Sequence, residues 1–308
     1  MATFQSALGT TLLLFTFLLI GYVLRKKELL PRAADTVLSR LENMIFVPAV
    51  VISTFMARFT ADNIGRRGSY ILVSCIVALV TLPLALAVGR LLGKDEAEER
   101  IFRYSAMIPN FSFFGIPLVS GTLGEEALFD YLIFCIPMYV ICYSIGVVWL
   151  IPSENGAKVS LKSFANPICI SVLIGMVLGL IGVRLPGFLD TALSQASGCM
   201  GPVAMILTGF VVAGYGIRNL LGDSRIYIMA ALRLLIIPFV VTMAFRLVLK
   251  DSPVLLYVLC FLAMPLGLNT IVIPAAYGGD TRIGASCALI SSVLAVVTIP
   301  VLFLVFGF

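Results

Sequence analysis

Apolar stretches of about twenty residues follow one another along nearly the whole chain, and a helix of that length is what crosses the hydrocarbon core of a bilayer. Ten such stretches fall near 4–24, 41–56, 70–92, 101–122, 127–150, 166–183, 191–215, 226–249, 254–277 and 283–306. With 60% hydrophobic residues, 12% charged and no histidine, the 308-residue chain has too little polar surface for a water-soluble core. Lipid offers no partner to backbone N–H and C=O groups, so the stretches are expected to be helices. The links between them are too short for a soluble domain. No phosphate-binding GxxxxGK(S/T) sequence occurs, so ATP-driven work would need another subunit.

Lys and Arg are held back on the cytoplasmic side of a membrane. One alternate set of links and span ends carries Arg25, Lys26, Lys27, Arg32, Arg40, Arg90, Lys94, Arg100, Arg103, Lys158, Lys162, Arg218, Arg225, Arg233 and Arg282. The other carries Arg58, Arg66, Arg67, Arg184, Arg246 and Lys250, a split of 15 to 6. Both termini are therefore expected outside a cell membrane crossed many times. The first span has basic residues after it and none before it, the reverse of a cleavable signal peptide, and is expected to remain as a helix. The net charge of +5 reflects this topology and suggests no nucleic-acid partner. All seven cysteines lie in apolar spans without a CxxC pair, which reads as packing; neither metal nor cofactor is expected.

Prolines are costly inside helices, so their positions are landmarks. Pro48 and Pro202 differ by 154, Pro83 and Pro238 by 155, Pro109 and Pro265 by 156, and Pro117 and Pro274 by 157, in a chain whose half-length is 154. "AMIPNFSFFGIPLVSGTLGEE" from Ala106 parallels "LAMPLGLNTIVIPAAYGGDTR" from Leu262, and "LSRLENMIFVP" parallels "LSQASGCMGP". The pattern reads as a duplication, residues 1–150 and 163–308, joined by a cytoplasmic linker at 151–162. Five spans per half is an odd number, so the second half is expected upside down relative to the first.

Two prolines inside the fourth span, and two inside the ninth, suggest deliberate interruption, since each removes a hydrogen bond and costs roughly 3 kcal/mol or more. The freed backbone groups must face protein or a polar cavity. Two such broken helices crossing near the midplane would present half-helix N-termini to an anion. The candidate binding set is Asn110 and Asn269, whose amides could donate to a carboxylate, with Ser112, Gly115, Pro109 and Pro265; Pro117 and Pro274 complete the breaks. Simple proline kinks with the asparagines satisfying backbone groups are the competing reading.

"NFSFFGIPLV", Asn110 to Val119, resembles the fourth-helix motif of the auxin efflux carrier family, and "AMPLGLNTIVIPAAYGGD" resembles the ninth-helix region of its bacterial members. "NPICISVLIGMVLGLIGVRLP" is similar to the family's start of the second half. The resemblance implies an all-α fold of ten helices as two inverted five-helix repeats with crossover broken helices, of the bile-acid/sodium symporter-like and NhaA-like type. It implies a homodimer, with spans 1, 2, 6 and 7 as scaffold and the others mobile, and transport of small organic anions. It also implies that Asn110 contacts the substrate carboxylate. The long central loop of plant PIN carriers is missing, which points away from auxin itself.

Ionisable residues at membrane depth are functional suspects. Glu42, six residues before Pro48 and next to Asn43, is the coupling candidate, for protons ahead of sodium; the bland reading pairs it with Arg40 near the surface. Arg233 and Asp130 are expected to snorkel from span ends. Asp95, Glu96, Glu98 and Glu99 read as a solvated loop. "GYG", Gly214 to Gly216, echoes a potassium filter but ends an ordinary span. The expected function is a secondary carrier of mono- or dicarboxylates; a sodium-coupled symporter of the same fold and a passive anion channel are the alternatives. A membrane enzyme lacks paired acids at the midplane.

Overall fold

The computed structural model describes residues 2–65, 67–151, 166–216, 220–250, 252–276 and 279–308. The expected linker at 151–162 lies, beyond Ile151, outside the described residues. The described chain is helical. Among the described residues, seven helices are long and apolar enough to cross a membrane: α1 (Thr3–Lys26), α2 (Ala34–Arg58), α3 (Gly68–Leu92), α6 (Glu125–Leu150), α8 (Gly187–Ala213), α9 (Ser224–Leu249) and α12 (Arg282–Phe306). Between them lie α4 (Glu96–Met107), α5 (Gly115–Leu123), α7 (Pro167–Ile181), α10 (Val254–Ala263) and α11 (Asn269–Ala276).

The fourth and ninth expected spans are thus broken, as their prolines required. Residues 108–114 separate α4 from α5, and 264–268 separate α10 from α11. The two breaks meet: Pro109 and Leu266 form an antiparallel bridge, and Asn110 N donates to Pro265 O at 2.8 Å. The freed Leu266 N donates to Ser291 Oγ of α12 at 2.9 Å, so a neighbouring helix supplies what the break removed. The second span begins earlier than its hydropathy suggested, because a polar segment, Ala34–Leu41 with no buried residue, extends the helix at one end.

Among the described residues, three helices widen locally into π turns, at Glu42–Phe46 in α2, Cys142–Gly146 in α6 and Leu232–Ile236 in α9. Two of these end two residues before Pro48 and Pro238. A proline lacks the N–H and crowds the carbonyl one turn back, and a wide turn absorbs that conflict without breaking the helix.

Two seams are closed at backbone distance. A Cβ placed on Gly21 of α1 would lie 2.0 Å from Ile206 O of α8, and one on Gly209 of α8 would lie 1.8 Å from Leu18 O of α1. On Gly179 of α7 it would lie 2.6 Å from Phe55 O of α2. Only glycine permits such approach, which joins α1 to α8 and α2 to α7 by backbone packing.

Candidate crossover site

Where the broken helices meet, an interior cavity of about 30 Å³ is lined by Asn43, Tyr104, Pro109, Asn110, Ser112, Tyr139, Cys142, Tyr143, Gly267 and Asn269. That is room for a water or two. Of the residues expected here, Pro109, Asn110, Ser112 and Asn269 line the space, joined by Asn43, which was expected beside the coupling candidate Glu42. Gly115 and Pro265 stand behind it: Gly115 N donates to Asn110 O at 3.0 Å, and Pro265 O holds Asn110 N. Pro117 lies in the wall of a separate cavity, and Pro274 sits in α11, accepting from Gly279 N at 2.9 Å.

The two asparagines differ. Asn110, 6% exposed, has a side chain with no hydrogen bond among the described residues, and the N–H groups of Phe111, Ser112 and Phe113 beside it also find no acceptor there. Asn269 opens α11, and its Nδ2 donates to Tyr104 Oη at 2.8 Å and lies 3.5 Å from Cys142 Sγ. Tyr104 and Cys142 are themselves in contact at 3.3 Å. The turn carrying Asn110 is fixed from outside: Tyr131 Oη donates to Phe111 O at 2.9 Å, and the Phe111 ring packs edge-on against Tyr139 at 4.8 Å. What results is a polar pocket with one engaged amide, one free amide and unpaired N–H groups near the N-termini of α5 and α11. Such groups suit an anion.

Glu42 lies in the π turn of α2, fully buried, and neither carboxylate oxygen has a hydrogen-bond partner among the described residues. The surface pairing with Arg40 is therefore not formed. The widened turn points the carboxylate into the protein, where α2 packs against α8.

Arg233 departs further from expectation. It is fully buried, and does not snorkel, because its π turn in α9 aims it inward. Its Nη1 donates to Ala106 O at 3.1 Å and its Nη2 to Phe261 O at 3.3 Å. Asp130, only 7% exposed, is likewise held inside, paired with Arg67 and accepting from Tyr257 Oη at 3.2 Å. The acidic cluster after α3 is only partly a solvated loop: Asp95 caps α4, while Glu98 pairs across the chain with Arg225. Arg225 also donates to Leu92 O at 2.6 Å, so one guanidinium ties the ends of α3, α4 and α9.

Tyr104, Tyr139, Cys142 and Arg233 were not singled out for the site from the sequence. They come from ordinary apolar spans, and only tertiary packing brings them to the crossover.

Two larger cavities lie beside the meeting half-helices. One, of about 580 Å³, lies beside α5 and is lined by Ser53, Ile116, Pro117, Ser120, Glu125, Ser197 and Gly201, among others. The other, of about 520 Å³, lies beside α11 and includes Arg25, Ser39, Arg40, Gly214, Tyr215 and Ile271. Gly214 and Tyr215 of the "GYG" triplet are thus wall residues at a helix end.

A bundle of membrane-length helices with two broken helices meeting at a buried polar pocket suits a membrane transporter. A family model described as "Membrane transport protein" matches residues 6–158 and 152–303, and the chain belongs to that family, the family of the auxin efflux carriers. An uncharacterized transporter of Methanothermobacter thermautotrophicus is 23% identical over 305 residues, covering 96% of this chain and 97% of that protein.

Proposed function

We propose that the chain is a secondary carrier of small organic anions, with the anion bound at the crossover. The observation that carries this reading is the free Asn110 amide beside the unpaired N–H groups of Phe111, Ser112 and Phe113. An anion offers acceptors to all of them at once, whereas a cation offers none. Ser112 and the amide of Asn269 complete the candidate ligand set, with Asn43 on the facing wall.

The ten-span inverted repeat belongs to this proposal. The seven long helices, the shorter α7 and the two broken spans make ten, and the proline spacing relates the halves. The closely packed pairs α1–α8 and α2–α7 correspond to spans 1 with 7 and 2 with 6, which supports their role as a rigid scaffold in a dimer. A crossover cavity of about 30 Å³ is too small for a dicarboxylate, so the walls must part for loading, towards the cavity of about 580 Å³ or that of about 520 Å³. That is alternating access, and it favours a carrier over an open channel.

Glu42 is the proposed proton carrier. An ionised carboxylate with no donor among the described residues is far more costly to bury than the neutral acid, so movement between a dry and a wet setting would bind and release a proton. The testing experiment is a thermal-shift screen of purified protein against mono- and dicarboxylates, since a ligand that binds the folded state raises its melting temperature. Stabilisation by small cations, with none by any carboxylate, would overturn the proposal.

A further inference from the structure

We infer that Arg233 is a fixed internal cation that joins the C-terminal ends of the two half-helices, so that the crossover needs no bound sodium. It rests on the geometry of the broken helices and not on the identity of the cargo. The last carbonyls of any helix lack intrahelical partners and carry partial negative charge. Here the ends of α4 and α10 converge, and their exposed carbonyls would repel each other in a dry interior. Ala106 O and Phe261 O, three and four residues before the first prolines of the two breaks, both accept from the one guanidinium. A planar group with donors on both arms suits two carbonyls on different helices, which a lone ammonium could reach only as a point charge.

Arg233 makes no salt bridge among the described residues, so no carboxylate neutralises it, and its Nε is buried without a partner. Its positive charge is therefore matched by the two helix ends. The proline offset of 155 puts Ala78 at the equivalent place in the first half, so one half of the duplication supplies the cation for both half-helices. A mobile metal ion at this junction would have to displace the guanidinium or share its carbonyls.

The test is the melting temperature of the detergent-purified full chain without organic substrate, so its outcome is independent of the anion reading. Wild type should melt identically in sodium chloride and choline chloride at equal ionic strength. Arg233→Ala should melt on the order of 5–10 °C lower, having stranded two charge-bonded carbonyls. Millimolar methylguanidinium should restore much of the loss, and the neutral isostere N-methylurea should not. If Arg233→Ala does not fold, Arg233→Lys and Arg233→Met are compared instead, with the charged variant expected to be the more stable. Saturable stabilisation of wild type by sodium, equal rescue by N-methylurea, or Arg233→Met matching Arg233→Lys would each overturn the inference.

Discussion

Asn110→Ala separates a ligand from a structural asparagine in a single variant. The side chain has no hydrogen bond among the described residues, so truncation strands no partner. It enlarges a polar cavity of about 30 Å³ by a few atoms, space that water can fill. Without substrate, the melting temperature should therefore stay within about 2 °C of wild type, corresponding to less than about 1 kcal/mol. With substrate, the variant loses a hydrogen bond to a charged group, worth about 1.5–3 kcal/mol, or roughly a ten- to 150-fold loss of affinity. Both quantities can be read on one preparation, by differential scanning fluorimetry and by calorimetric titration with the carboxylate that stabilises wild type most. A destabilised Asn110→Ala protein with wild-type affinity would refute the reasoning and return the residue to backbone support. Asn269→Ala offers the contrast. Its amide holds the buried Tyr104 hydroxyl, so this variant should lose about 0.5–1.5 kcal/mol of ligand-free stability as well as affinity.

Glu42→Gln should keep the fold and counterflow exchange but lose uptake driven by a pH gradient in proteoliposomes; unchanged gradient-driven uptake would remove Glu42 from the coupling path. A Cβ on Gly115 would sit 2.3 Å from Tyr131 Oη, so Gly115→Ala should be destabilised and Tyr131→Phe should partly relieve it, with a coupling of about 1 kcal/mol in a double-mutant cycle. Single cysteines at the exposed Ala97 and Glu126, in a cysteine-free background, should label from the inside and outside respectively, and labelling from one side only would contradict a membrane crossing by α4 and α5. Hydrogen bonds from Arg225 hold the Glu98 and Asp223 carboxyls below their usual 4.5 and 3.8. Their stabilisation is thus fully present above about pH 5 and is lost as pH falls through those values and below. Glu98→Gln should flatten that acid limb in a melting-temperature profile against pH.

The breaks were legible because proline announces itself: Pro109 and Pro117, Pro265 and Pro274 mark interruptions that no apolar helix would otherwise contain. Asn110 and Ser112 followed from their place inside the break. Asn269 followed too, but not its engagement with Tyr104, because an amide four residues after a proline could face several neighbours. Glu42 was legible as an ionisable group at membrane depth, though not its lack of a partner among the described residues, and the buried setting of Arg233 could not be read at all. Both sit in π turns, and a turn widened by one residue leaves hydropathy unchanged while rotating every side chain that follows it. Charge near the end of an apolar stretch looks like an anchor to the membrane surface, and only the local winding of α2 and α9 turned these two inward.

The glycine seams have a consequence for the speed of such a machine. Where backbone meets backbone, as at Gly21 with Ile206 and Gly209 with Leu18, displacement by a fraction of an ångström meets hard repulsion, and the joined helices behave as one stiff part. The contacts across the cavity walls are of another kind: Gly201 faces the ring of Pro117 and Gly121 faces the side chain of Thr10. Side-chain contacts are weak individually and can be exchanged one at a time, like teeth on a rack. In the proposed carrier, friction in the working stroke would reside in α5 against α1 and α8, and substitutions on those surfaces would alter turnover while the stiff frame stays intact.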